Sequence, residues 1–384
     1  MTVRKVVFWL HLAVATTIAS VVLMMSVTGV LLTYESQINK WDLREFRPSP
    51  SVDTSTALPI DTILGSVAEF AHTLEVSAIT IRSDAYEPAT INVGGGLLLL
   101  ADQYSGEVMG NNDRPIRQVL RTIMYWHRWF ALEGDNRAIG RTITGVSNLA
   151  FLFLIISGFY LWLPKSYSKN TLRRIVWFQS GLRGKAKNFN WHNVIGIWTV
   201  LPLTIIVISG SVISFRWASD TVYYLVGESP PARSSSSDTT TVEQTAPTID
   251  EIQDPVSYQQ IFDRAADDAV NWRSITIRIP QGDSDRVVAL VDRGSGRQPS
   301  KQFELVFDRD TGELAERAGY PTYSQGRKIR RWLRFAHTGE VFGLVGQTLA
   351  GIVTLGTIIL VWTGLAMTWR RFINAIRAKG RHSG

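Results

Sequence analysis

Six histidines and no cysteine occur in this 384-residue chain, and four of the histidines stand where they could do chemistry. His11 precedes Gly29 by eighteen residues inside FWLHLAVATTIASVVLMMSVTGVLLTY, and His192 precedes Gly210 by eighteen inside NWHNVIGIWTVLPLTIIVISGSVISF. His127 in YWHRWFAL and His337 in FAHTGEVFG each stand ahead of a long apolar run. His72 and His382 follow no such pattern. Without thiols, disulfides, thiolate-bound zinc, iron–sulfur clusters and covalently attached c-type haem are excluded, so any metal must be held by nitrogen or oxygen.

The elements that must position these residues are apolar. Four segments, roughly 6–33, 143–163, 191–215 and 345–369, run for about 20 residues or more with almost no charge, enough to cross a hydrocarbon core about 30 Å thick. Eighteen helical residues rise about 27 Å, so His11 and His192 lie near one membrane face while Gly29 and Gly210 lie near the other. His127 and His337 precede their helices at that second face. Each face thus receives two histidines from different helices. The first segment could be read as a cleaved signal peptide, but its apolar stretch is too long and no small-x-small site precedes Tyr34, so an uncleaved anchor is expected.

Charge sets the expected orientation. The 164–190 loop carries Lys165, Lys169, Arg173, Arg174, Arg183, Lys185 and Lys187 with no acidic residue, and the tail from Arg370 carries five more basic residues. Both termini and this loop should therefore be cytoplasmic. With Arg4 and Lys5 these segments hold more positive charge than the net +7 of the whole chain, so the remainder is acidic and the basic pI reflects topology. The bilayer is the expected partner, and nucleic-acid binding loses its support.

The expected fold class is an α-helical membrane protein, a four-helix transmembrane bundle carrying two α+β domains. PIDTILGSVAEFAHTL has helical spacing and precedes the strand-like SAITIR, ATINVG and LLLLAD; YQQIFDRAADDAV likewise precedes RSITIRI, DRVVALVD and QFELVFD. Gly106 and Gly312 differ by 206 positions, as do Gly140 and Gly346, Gly145 and Gly351, and Gly158 and Gly364. A tandem duplication is therefore expected. The segments are transmembrane helix 1 (1–33), a first domain (34–120), an interfacial helix with His127 (121–142), helix 2 (143–163), the basic loop (164–190) and helix 3 (191–216). A flexible Ser/Thr/Pro-rich linker (217–250), a second domain (251–325), an interfacial helix with His337 (326–344), helix 4 (345–369) and the tail (370–384) complete the chain.

An ionisable group in a membrane segment is costly and defaults to a functional reading, although a single interfacial histidine is ordinarily an anchor or a helix-end hydrogen-bonder. Two pairs at matching depths favour ligation. Zinc wants three or four ligands, and acidic residues are missing around His11 and His192; haem iron wants two axial ligands across a flat apolar macrocycle. Bis-histidine haem b fits best, two per chain, with His11 paired to His192 and His127 to His337. Arg128, Arg330 and Arg334, together with Arg121 and Arg331, suit either of two roles, pairing with haem propionates or anchoring at the interface. The small residues Ala13, Ala15, Ala19 and Gly196 suit either a porphyrin close to the backbone or helix packing.

The four segments quoted above, with GRTITGVSNLAFLFLIISGFYLWLPK and FAHTGEVFGLVGQTLAGIVTLGTIILVWTGL, make nearly the whole chain resemble the PepSY-associated transmembrane-helix family of iron-regulated bacterial inner-membrane proteins, which includes reductases of ferric siderophores such as ferrioxamine. The resemblance implies PepSY-like periplasmic domains between the helices and haem held by His11, His127, His192 and His337. In the soluble segments only the D-x-x-[ST]-G-E turns, Asp102 to Glu107 and Asp308 to Glu313, resemble the family pattern. The implied activity is electron transfer across the membrane to a ferric siderophore, with no side chain acting as acid, base or nucleophile. No dinucleotide fingerprint or P-loop occurs, so a quinol or a cytoplasmic reductase is the expected donor. Two other classes stay open: a non-redox accessory or regulatory membrane protein, and a siderophore or metal permease. The nearly uncharged interior of four helices argues against the permease.

Overall fold

A computed structural model describes the chain except for residues 1, 49–55, 71–74, 95, 165–166, 232–255, 281–284 and 381–384. The chain divides into two compact units, one formed by residues 1–37, 118–221 and 330–384, the other by 38–117 and 222–329.

In chain order the elements are α1 (Val3–Leu32), α2 (Glu35–Asp42), α3 (Ile60–Phe70), β1 (Val76–Arg82), β2 (Ala89–Val93), β3 (Leu97–Ala101), β4 (Val108–Asn111), α4 (Pro115–Trp129), α5 (Arg137–Trp162), α6 (Lys169–Val176) and α7 (Gly184–Ser214). They continue through α8 (Arg216–Tyr224), α9 (Tyr258–Asp268), β5 (Ser274–Arg278), β6 (Arg286–Asp292), β7 (Gln302–Asp308), β8 (Leu314–Gly319), α10 (Gln325–Ala336) and α11 (Gly343–Gly380).

The first unit is a bundle. The helices α1, α5, α7 and α11 are each long and apolar enough to cross a membrane, and they pack in the cyclic order α1–α5–α7–α11. Each outruns its apolar segment, because hydropathy ends where charge begins while the backbone hydrogen bonds continue: α5 starts at Arg137 and α7 at Gly184. Small residues sit at the crossings. A Cβ on Gly356 would press on Ile195 and Thr199, and one on Gly351 would press on Thr33. Gly196 meets Leu360 of α11, and Ala13 is exposed.

The interfacial helices differ from their sequence-based bounds. The one expected over 121–142 is α4, which ends at Trp129 because Phe130 and Ala131 adopt left-handed φ of 54° and 55°. The chain then doubles back so closely that a Cβ on Gly140 would collide with the Trp129 carbonyl. The one expected over 326–344 is α10, which stops at Ala336; His337 follows its last turn, and Gly339 at φ 75° turns the chain into α11.

In the second unit all eight strands join one antiparallel sheet in the order β4-β3-β2-β1-β5-β6-β7-β8. The 34–120 and 251–325 segments, expected as two domains, share this sheet. Their first strands pair edge to edge, Ile79 opposite Ile277 and Thr80 opposite Thr276, with the two threonine hydroxyls 2.8 Å apart. That pairing satisfies backbone groups that separate sheets would leave on two open edges. Alternation puts Ile79, Ile81, Ile91, Ile275, Ile277, Val287 and Leu305 on one face, buried with Ile63 and Val67 of α3 and Ile261 of α9. The two helix starts cap each other: Asp61 accepts from the Tyr258 and Gln259 amides, and the Gln259 side chain accepts from the Ile60 amide.

The two D-x-x-[ST]-G-E turns have one geometry. Asp102 accepts from the Tyr104 and Ser105 amides, Asp308 from the Asp310 and Thr311 amides, and Gly106 and Gly312 take φ of 76° and 64°. The linker expected over 217–250 begins as helix α8, and its 232–250 part lies outside the described residues.

Candidate functional site

Each of the four histidines lies against a glycine on a neighbouring bundle helix. His11 of α1 meets Gly158 of α5, and His192 of α7 meets Gly364 of α11; a Cβ on those glycines would stand 3.3 Å and 3.5 Å from the ring Cε1. His127 of α4 meets Gly29 of α1, and His337 meets Gly210 of α7, both at 3.3 Å. Beside each glycine a hydroxyl bonds the ring: His11 Nδ1 to Ser157 at 2.8 Å, His127 Nδ1 to Thr28 at 3.0 Å, His192 Nδ1 to Thr363 at 3.0 Å and His337 Nδ1 to Ser209 at 3.2 Å. Sequence reasoning found the glycines and missed these four hydroxyls. The available signal was a Ser-Gly or Thr-Gly dipeptide in every one of the four apolar segments.

The histidines fall in two pairs by level. The rings of His127 and His337 lie with centroids 6.2 Å apart and planes inclined at 62°. His11 on α1 and His192 on α7 lie at the other level, against Gly158 and Gly364. The pairs sit at two levels of the bundle, because α1 carries His11 near one end and receives His127 at Gly29, eighteen residues or about 27 Å along. Among the described residues no three His, Asp or Glu side chains gather, so each level offers two nitrogen ligands.

A metal held between two imidazoles by bonds of about 2 Å each sets the ring centroids about 6 Å apart, once the ring radius is added on both sides. The 6.2 Å separation of His127 and His337 fits that arrangement. Every Nδ1 already has a partner, so Nε2 is the nitrogen free to ligate.

Cations collect at the His127–His337 level. The guanidinium of Arg128 lies 4.7 Å from the centroid of the Trp129 indole, and that of Arg137 lies 4.4 Å from the same ring. Desolvation, and then the charges of Arg334, Arg141 and Arg137, hold Arg128 below the usual arginine range. None of these four arginines has a carboxylate partner among the described residues, and Arg137 Nε is buried without a hydrogen bond. Arg137 and Arg141 were not singled out in the sequence. Arg330, which was, is exposed on α10, as is Arg334. His72 and His382 lie outside the described residues.

A family model described as the PepSY-associated TM region matches residues 8–371. The chain belongs to that family. The match takes in His11, His127, His192 and His337 and nearly all of the four bundle helices, so the PepSY-associated chain is a membrane protein. No match was found among curated proteins.

Proposed function

We propose that this PepSY-associated protein is a bacterial inner-membrane haem protein that passes electrons outward across the bilayer to a ferric siderophore. Both termini and the basic 164–190 loop are cytoplasmic in this reading, the sheet unit is periplasmic, and the repeated order of elements descends from a tandem duplication. The observation that carries it is the His127–His337 ring pair, with His11 and His192 at a second level of the apolar bundle and every Nδ1 already partnered.

His11 and His192 would hold one haem b, and His127 and His337 a second. Bound there, haem would supply reversible one-electron transfer, with a potential tuned by the two imidazoles and by burial. Arg128 and Arg334, with Arg137 and Arg141, supply uncompensated positive charge on the side of the outer pair, suited to haem propionates. Arg330 and Arg334, both exposed on α10, are the expected propionate partners on that helix. The apolar α1, α5, α7 and α11 exclude water between the levels.

In this reading the substrate is Fe(III) in a hard-oxygen chelate; one electron makes Fe(II), which oxygen ligands hold less tightly, and the iron is released. The electron donor is a quinol or a cytoplasmic reductase. The test is the absorption spectrum of the detergent-purified protein, oxidised and reduced, with haem counted per chain. Two low-spin b-type haems are expected, one lost in His192→Ala and the other in His337→Ala. A colourless protein from haem-replete cells defeats the proposal, and a haem spectrum unaffected by either variant does the same.

A further inference from the structure

The four hydroxyls beside the glycines have already committed their protons. Thr28 donates to the Met24 carbonyl at 2.7 Å, Ser157 to Phe153 at 2.7 Å, Ser209 to Ile206 at 2.9 Å and Thr363 to Ile359 at 2.7 Å, each within its own helix. A hydroxyl has one proton, so the oxygen facing each imidazole can only accept. The ring nitrogen must then donate, which puts the proton of a neutral imidazole on Nδ1 and leaves the lone pair on Nε2.

We infer that Thr28-Gly29, Ser157-Gly158, Ser209-Gly210 and Thr363-Gly364 are positioning residues, which hold the four histidines as Nδ1–H tautomers and aim Nε2 at the partner histidine. The glycine has a separate part in this. At Gly29, Gly158 and Gly210 a Cβ would stand 3.3 Å from the ring edge, tighter than ordinary contact, and at Gly364 it would stand 3.5 Å away, in ordinary contact; the absence of a side chain at the first three lets the ring come within reach of the hydroxyl one residue earlier. The inference rests on the haem reading for what Nε2 binds, although the tautomer follows from the hydrogen bonds alone.

The four positions are unequal. His337 Nδ1 has a second acceptor, the Ile206 carbonyl at 2.9 Å, three residues before the hydroxyl. His11 has no such bond among the described residues and depends on Ser157. Removing Ser157 therefore leaves an imidazole with nothing to fix its tautomer or its rotation, whereas removing Ser209 leaves the Ile206 carbonyl in place.

The experiment uses the full chain in detergent. Haem retention and the low-spin electron paramagnetic resonance signal are read on holoprotein, and the histidine nitrogen resonances are read on 15N-histidine-labelled protein expressed without haem. Ser157→Ala should lower retention of the inner haem at least tenfold, by the usual cost of losing an outer partner of a ligating histidine. Ser157→Thr should restore it, Ser157→Cys, a weaker acceptor of similar size, should fall between, and Ser209→Ala should change outer retention less than threefold. Equal effects of Ser157→Ala and Ser209→Ala overturn the inference while two haems in the parent chain leave the haem reading intact. If the parent chain holds no haem, the nitrogen spectra still decide: Nδ1–H tautomers at the four positions support the inference, and Nε2–H tautomers overturn it.

Discussion

At the scale of single residues, a space and a proton acceptor decide each histidine. Gly158 shows the space: its ideal Cβ would stand 3.3 Å from His11 Cε1, tight for a methyl and impossible for a branched side chain without moving the ring. Gly158→Val should therefore remove the inner haem and spare the outer one, a difference visible in haem count per chain. A second prediction concerns Asp308. Its carboxylate is held below the ordinary value of 3.8, first by the Thr311 amide, then by the Thr311 hydroxyl and the Asp310 amide. A depressed carboxylate stabilises the fold above its unfolded value, and the contribution is lost as pH falls through the lower folded value. Amide exchange at Thr311 and Glu313 should accelerate below about pH 4, and Asp308→Asn should exchange fast at every pH. The candidate histidines and glycines were legible because type and spacing alone carried them. The hydroxyls were not, because serine and threonine in membrane helices ordinarily bond their own carbonyls, and only the tertiary contact shows the second bond.

At the scale of elements, the strands were legible from period-two alternation, and QFELVFD and DRVVALVD fall on β7 and β6. Their assembly into one sheet was not. The edge pairing of β1 with β5 joins residues nearly two hundred positions apart, and alternation says which face is buried without saying which edge is met. The end of α4 was also invisible, since Phe130 and Ala131 are residues that rarely take left-handed φ. Ile277 sits at the seam, fully buried opposite Ile79. Ile277→Ala should destabilise the sheet unit by about 3 kcal/mol. Hydrogen exchange is expected to lose protection on both sides of the seam together; loss confined to β5–β8 would mean that the halves fold as separate bodies.

At the scale of the whole molecule, the chain's lack of cysteine makes its topology readable. Lys169 on α6 and Glu316 on β8 are both exposed. A cysteine at Glu316 should react with a membrane-impermeant maleimide in intact spheroplasts, and one at Lys169 only after the membrane is opened. The reverse pattern would invert the proposed direction of electron flow. Charge asymmetry between the 164–190 loop and the rest of the chain made this orientation an expectation from sequence, whereas the division into a bundle unit and a sheet unit assembled from interleaved segments needed the structure.

The interval of eighteen residues in α1 and α7 has one more consequence. Eighteen residues at 3.6 per turn are five whole turns, so His11 and Gly29, like His192 and Gly210, share one azimuth on their helices. Each rod thus offers a histidine at one end and receives one at the other on the same side. Inserting a single residue between the two would turn one end by about 100° and leave one level or the other facing lipid. The helix keeps the two levels in phase, and the length of the path between them is a property of the backbone.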